Sequence, residues 1–108
     1  MSTERDGVPD RIATELNTAE HARKTGNQGM VRVCARRAAG LAIGHWMAQN
    51  RRPGRSSDAM NRIRAVERDE SMPADVRDAA GRLAAKMTTP YPGDALLDAN
   101  TIIRHFLP

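Results

Sequence analysis

Apolar residues recur along this chain three and four positions apart, and nowhere do they alternate with polar ones over four or more residues. That period is the face of a helix rather than a strand, so the pattern predicts an all-α domain. A first helix is expected from about Pro9 to Lys24, with Val8, Ile12, Leu16, Ala19 and Ala22 or Arg23 as its inward stripe. Proline is tolerated in its opening turn, and Gly26 and Asn27 of the turn TGNQG can take the left-handed backbone angles that stop it.

A second, longer helix is expected from about Met30 to Arg51, ending ahead of Pro53 because proline disfavours helical geometry in the residue before it. After the loop RRPGRSS, Ser56 or Ser57 can cap a third helix reaching about Arg68, with Ala59, Ile63 and Val66 inward. The fourth runs to about Met87 behind Ser71 and Pro73, burying Val76, Ala80, Leu83 and Met87. TTPYPGD then breaks the chain, Asp94 can cap the last helix, and Ala95, Ala99, Ile102, Ile103 and Phe106 form its stripe up to Leu107. Short connections point to an up-and-down bundle of four to five helices. Residues 1–8 read as a flexible tail and 9–107 as a single domain, the size one core normally serves.

The second helix is unusual. At 100° per residue, Val31, Cys34, Ala35, Ala38, Leu41, Ala42, His45 and Trp46 fall on one broad apolar stripe. Val33, Gly40, Gly44 and Met47 lie almost opposite, so the second half of this helix has two apolar faces. Such a helix must be covered on both sides, either as the central element of the bundle or by a second subunit. Glycine inside a helix costs about 0.5–1 kcal/mol relative to alanine, so Gly40 and Gly44, four apart, mark a close approach by another helix. Val33, Gly40, Gly44 and Met47 are therefore the expected interaction face, toward a homo-oligomer or another protein partner. The expected test of that face is Gly40→Leu or Gly44→Leu, blocking assembly more than unfolding the monomer.

Charge and composition narrow the functions. The net charge is +4 from 17 basic and 13 acidic residues, and only Lys24 and Lys86 are lysines. Arg32, Arg36, Arg51, Arg52, Arg55 and Arg62 could make a phosphate-facing patch. Three aromatic residues, Trp46, Tyr91 and Phe106, do not interleave with them as a stacking platform requires. Nucleic-acid binding, or a divergent ribonuclease using Arg32, Arg36, Arg37 and His45, is thus the alternative to protein association.

Chemistry has few candidates. His21, His45 and His105 lack the spacing of metal ligands, and there is no CxxC, glycine-rich phosphate loop or GxSxG elbow, so no metal or cofactor is expected. Cys34 on the apolar stripe reads as a small core hydrophobe, and a lone cysteine suits a reducing compartment. The opening MSTERDGVPD is charged and has no apolar run, and Ala38 to Asn50 is shorter than the ~20 residues of a membrane span. A soluble, cytoplasmic protein with no membrane partner is the expectation.

The order of features resembles the HEPN family of small helical domains. The residues that carry this are LNTAEHARKTGNQGMVRVCARRAAGLAIGHWMAQ, then RSSDAMNRIRAV, then PADVRDAAGRLAAKMTTPYPGD, then ALLDANTIIRHFLP, covering about residues 10–107. The resemblance implies an up-and-down bundle, often homodimeric, acting as a ribonuclease in toxin or defence systems or as a non-catalytic partner of nucleotidyltransferases. The family's nuclease motif, an Arg, four to six residues and a His, is missing: Arg37 and His45 are separated by seven residues, and Arg104 and His105 are adjacent. The resemblance therefore implies a non-enzymatic member.

Overall fold

A computed structural model describes residues 7–50, 58–86 and 90–108. It contains five α-helices: α1 (Val8–Lys24), α2 (Gln28–Gln49), α3 (Ala59–Arg68), α4 (Ala74–Ala84) and α5 (Ala95–Phe106). The described residues include no strand, and no helix is long and apolar enough to cross a membrane.

The helix ends follow local chemistry. α1 opens at Val8 behind Gly7, with Pro9 in the first turn, and closes on Thr25. Of the two turn residues expected to be left-handed, only Gly26 is, at φ +79°. Asn27 instead caps α2, its side chain accepting from Met30 N–H at 3.1 Å, so that helix starts two residues earlier than the pattern suggested. Asp58 caps α3 and Asp94 caps α5, each accepting amide hydrogens of the first turn. The expected caps Ser56 and Ser57 lie outside the described residues. Ser71 does not cap α4; its amide and hydroxyl both donate to Asp69 Oδ1, and the helix begins directly after Pro73. α4 also ends at Ala84 rather than near Met87, which lies outside the described residues.

α2 is the central element. Its buried residues Val31, Arg32, Cys34, Ala35, Ala38, Ala39, Gly40, Ala42 and Ile43 cover most of its circumference, leaving the side of Arg37 exposed. α1, α3 and α5 cover them, and α4 packs on α3 and α5. Ile63, Leu83, Ile102 and Cys34 are the largest fully buried side chains. The core is otherwise mostly alanine, and small side chains around α2 let its neighbours come close enough to exclude water.

Directions follow from residue pairs. α1 and α2 form a hairpin. Arg32 meets Tyr91 near one end of α2 and Trp46 meets Phe106 near the other, so α5 runs in the same sense as α2. Contacts between α2 and α3 advance the same way, from Gly40 against Ala59 to Gly44 against Arg62. α4 returns antiparallel, its C-terminal carbonyls reaching Arg32 and Arg36. The expected helical bundle is present, with strict alternation broken at the α2-to-α3 connection.

The glycine pair is not an open face. A Cβ on Gly40 would sit 2.6 Å from Ala59 Cβ and 2.9 Å from its Cα, and one on Gly44 would meet the guanidinium of Arg62. The close approach inferred from the glycines is real, but α3 of the same chain makes it. Of the expected interaction face, Gly40 is buried and Val33, Gly44 and Met47 are half-buried. Because the obstacle at Gly40 is backbone, Gly40→Ala forces α2 and α3 apart and is expected to cost about 1–3 kcal/mol. At Gly44 the obstacle is the end of a flexible arginine, and the gain of about 0.5–1 kcal/mol in helix propensity offsets its displacement. Urea unfolding of the two variants should rank Gly40→Ala well below Gly44→Ala, and equal midpoints would refute this account of the contact.

Candidate functional site

The arginines expected to form one basic patch serve different places. An α-helix leaves its last four carbonyls without helical partners and carries partial negative charge there. Arg32 and Arg36, one turn apart on α2, satisfy that end of α4. Arg36 Nε donates to the Leu83 carbonyl at 2.7 Å and its Nη2 to Ala85 at 2.6 Å, while Arg32 Nη2 donates to Ala85 at 3.2 Å and Lys86 at 3.0 Å. Arg32 is buried, so the side read as polar at the start of α2 faces inward there. Burial, and then the charge of Arg32, lowers the pKa of Arg36. Arg62 serves the α2–α3 contact, donating to the Gly40 carbonyl at 3.2 Å. Arg51, Arg52 and Arg55 lie outside the described residues. Among the described members of the expected patch, Arg32 and Arg36 thus bond the end of α4 and Arg62 bonds α2.

A buried carboxylate ties the other end of this network. Asp98 on α5 accepts two hydrogen bonds from the Arg82 fork on α4, at 2.8 and 2.9 Å, and one from the Tyr91 hydroxyl at 2.5 Å. The Tyr91 ring lies under the Arg32 guanidinium, 5.1 Å from its centroid, so α2, α4, α5 and the PYPG turn meet in one cluster. Bidentate arginine–carboxylate pairs are the strong form of the charge-assisted hydrogen bond. Burial first, and then the bond to Asp98, push the Tyr91 phenol well above its ordinary value, while the bond to Asp98 raises the Arg82 pKa. Every hydrogen bond of this carboxylate is made inside the protein, which suits a tie better than a reacting group. The sequence held a signal for it. Asp98 lies on the apolar stripe of α5, between Ala95 and Ala99, where a carboxylate needs a partner.

The remaining candidates separate. Cys34 is buried as expected; burial and then a hydrogen bond to the Glu15 carboxylate raise its thiol pKa, which disfavours the nucleophilic thiolate. His45 is half-buried, His21 and His105 are exposed, and His105 packs edge-on against Phe106. Among the described residues no group of three or more His, Cys, Asp or Glu could hold a metal ion.

Open grooves, which sequence reasoning missed, indent the described surface: one along α4 is lined by Glu67, Arg77, Asp78, Arg82 and Pro92, and two flank the α2–α3 contact. Of these two, one lies between α2 and α3 at the C-terminal end of α5. Its walls are two parallel helical stripes, Ile43, Trp46 and Met47 on α2 and Arg62, Ala65 and Val66 on α3 with Asp69 at its end, and Met72 and Phe106 close it. Both stripes have the i, i+3, i+4 spacing of one helix face. Trp46, Met47 and Met72 are half-buried and Ala65 is exposed. The second groove, between α1, α2 and the start of α3, is lined by arginines.

The single tyrosine gives a direct check on the cluster. With its pKa raised in the folded state, Tyr91 contributes stability that is fully present below the unfolded value of about 10 and is lost as pH rises beyond it. Absorbance at the phenolate band should stay flat past pH 10 and rise together with the loss of helical circular dichroism; phenolate formation in the folded protein near pH 10 would contradict the Asp98 bond. Comparison with family models, with curated proteins and with solved structures gives no match, so the resemblance to the HEPN family rests on helix order and residue pattern alone.

Proposed function

We propose that this protein works by association rather than by catalysis, and that it pairs with a second copy of itself through the α2–α3–α5 groove. The observation that carries this reading is the groove itself, where the chain's only tryptophan and two of its six methionines remain half-exposed beside the buried Phe106. Tryptophan and methionine are enriched in the cores of protein interfaces, and the flexible thioether adapts to a partner's shape.

The α3 stripe is self-complementary. Arg62 on α3 and Asp69, the residue that ends it, stand seven residues apart in the groove lining, with Ala65 and Val66 midway between them. Two copies of α3 laid antiparallel about that midpoint bring Arg62 of each against Asp69 of the other. A twofold interface needs this pairing of one patch with itself. Ala65, exposed and small, lets the two helices approach at the centre, and Trp46, Met47 and Met72 then fill the flanks. This proposal moves the association surface away from Gly40 and Gly44, which α3 covers, and keeps Met47 from the expected face.

Sedimentation is the test. The wild-type chain should be dimeric at roughly tens of micromolar, the range of modest interfaces. Ala65→Arg, which adds bulk and like charge at the twofold centre without touching the core, should give monomers with unchanged helical circular dichroism. A monomeric wild type, or a dimer indifferent to Ala65→Arg, would remove this reading.

A further inference from the structure

The second groove is electrostatically different from the first. Arg11 comes from α1, Arg37 from α2 and Arg62 from α3, around a floor containing Gly40 and a wall of Leu41 and Ala59; Glu15 is the only carboxylate in the lining. Three guanidinium groups against one carboxylate leave a net charge of +2. Arg11 is exposed, and its side chain has no hydrogen bond or ion pair among the described residues. Arg37 has 59% of its side chain exposed and touches Glu15 only at 4.0 Å, the outer limit of an ion pair. Such exposed pairs contribute little to stability, so these cations are not there to hold the fold.

Two of the three cations are also positioned. The bond to the Gly40 carbonyl holds Arg62 against α2. Glu15 lies in the lining of the groove, 4.0 Å from Arg37. A guanidinium is a planar fork that matches the paired oxygens of a phosphoryl group, and three forks aimed from three sides suit a compact, multiply charged anion. A single carboxylate would leave most of this charge uncompensated. An extended polynucleotide backbone would call for cations in a line rather than around a hollow closed by Leu41 and Ala59.

We infer that the groove between α1, α2 and α3 binds a small molecule bearing a diphosphate group, with Arg11, Arg37 and Arg62 as its ligands. The site shares Arg62 with the self-association surface but has Arg11 and Arg37 to itself, since neither lines the α2–α3–α5 groove, so substitutions at those two test it independently of the dimer.

The test is calorimetric titration of the full chain with inorganic pyrophosphate, orthophosphate and ADP, with arginine Nε–H resonances followed by NMR. Pyrophosphate should bind saturably at one site per chain and more tightly than orthophosphate, moving the signals of Arg11, Arg37 and Arg62. Arg11→Gln and Arg37→Gln should each weaken it about tenfold, the scale of one charge-assisted contact. Arg104→Gln, an equal loss of charge at an exposed position on α5, should leave it unchanged. Tighter binding of ADP than of pyrophosphate identifies the ligand as a nucleotide, and equal binding identifies the bare diphosphate; both support the site. Absence of saturable binding, an Arg104→Gln loss matching that of Arg37→Gln, or displacement of pyrophosphate by a single-stranded RNA that binds more tightly than either small ligand would overturn it.

Discussion

The approach of α3 to α2 at Gly40 is the constraint on which the rest of the structure depends. There is no room between Gly40 and Ala59 for a single added carbon, so the helices touch through backbone and a small side chain. That closeness buries Ala35, Ala38, Ala39 and Ala42 of α2 and sets Arg62 across Gly44. It also fixes the two grooves, which lie to either side of this contact. One follows α2 and α3 toward Phe106, and the other opens between α1 and the start of α3.

A bundle this rich in alanine has few large side chains to lock its helices in register, and polar ties supply part of that specificity. Arg32 and Arg36 on α2 hold the end of α4, and Asp98 on α5 holds Arg82 of α4 and Tyr91 of the preceding turn. Each tie joins elements distant in sequence. A buried carboxylate or guanidinium is costly without its partner, so this cluster favours one arrangement of α2, α4 and α5 over slipped ones. Of the arginines, which as composition suggest a nucleic-acid partner, Arg32, Arg36, Arg62 and Arg82 bond internal carbonyls or a buried carboxylate.

The two proposed binding surfaces share Arg62 but draw on different physics. Self-association relies on apolar area around Trp46 and Met47 with a charge pattern that repeats under a twofold axis. The diphosphate site relies on guanidinium forks, of which those of Arg11 and Arg37 have little structural duty. Arg62 alone lines both grooves, its side chain lying across the α2–α3 contact between them. Partners are thus to be sought among copies of the chain and among compact anions.

The sequence by itself determined the five helices, most of their ends and most of their inward stripes, because capping residues, prolines and a 3.6-residue period act locally. It also determined that α2 has two faces to cover and that Gly40 and Gly44 meet another helix. Tertiary structure alone decided which helix that is, since a flat glycine strip fits any backbone of the right shape and carries no address. The same limit applies to the arginines: an arginine on a helix can face water, a carbonyl or a carboxylate, and only the placement of the end of α4 turned Arg32 and Arg36 inward. Asp98 was visible as a carboxylate on an apolar stripe, but its partners Arg82 and Tyr91 became identifiable only when three elements met.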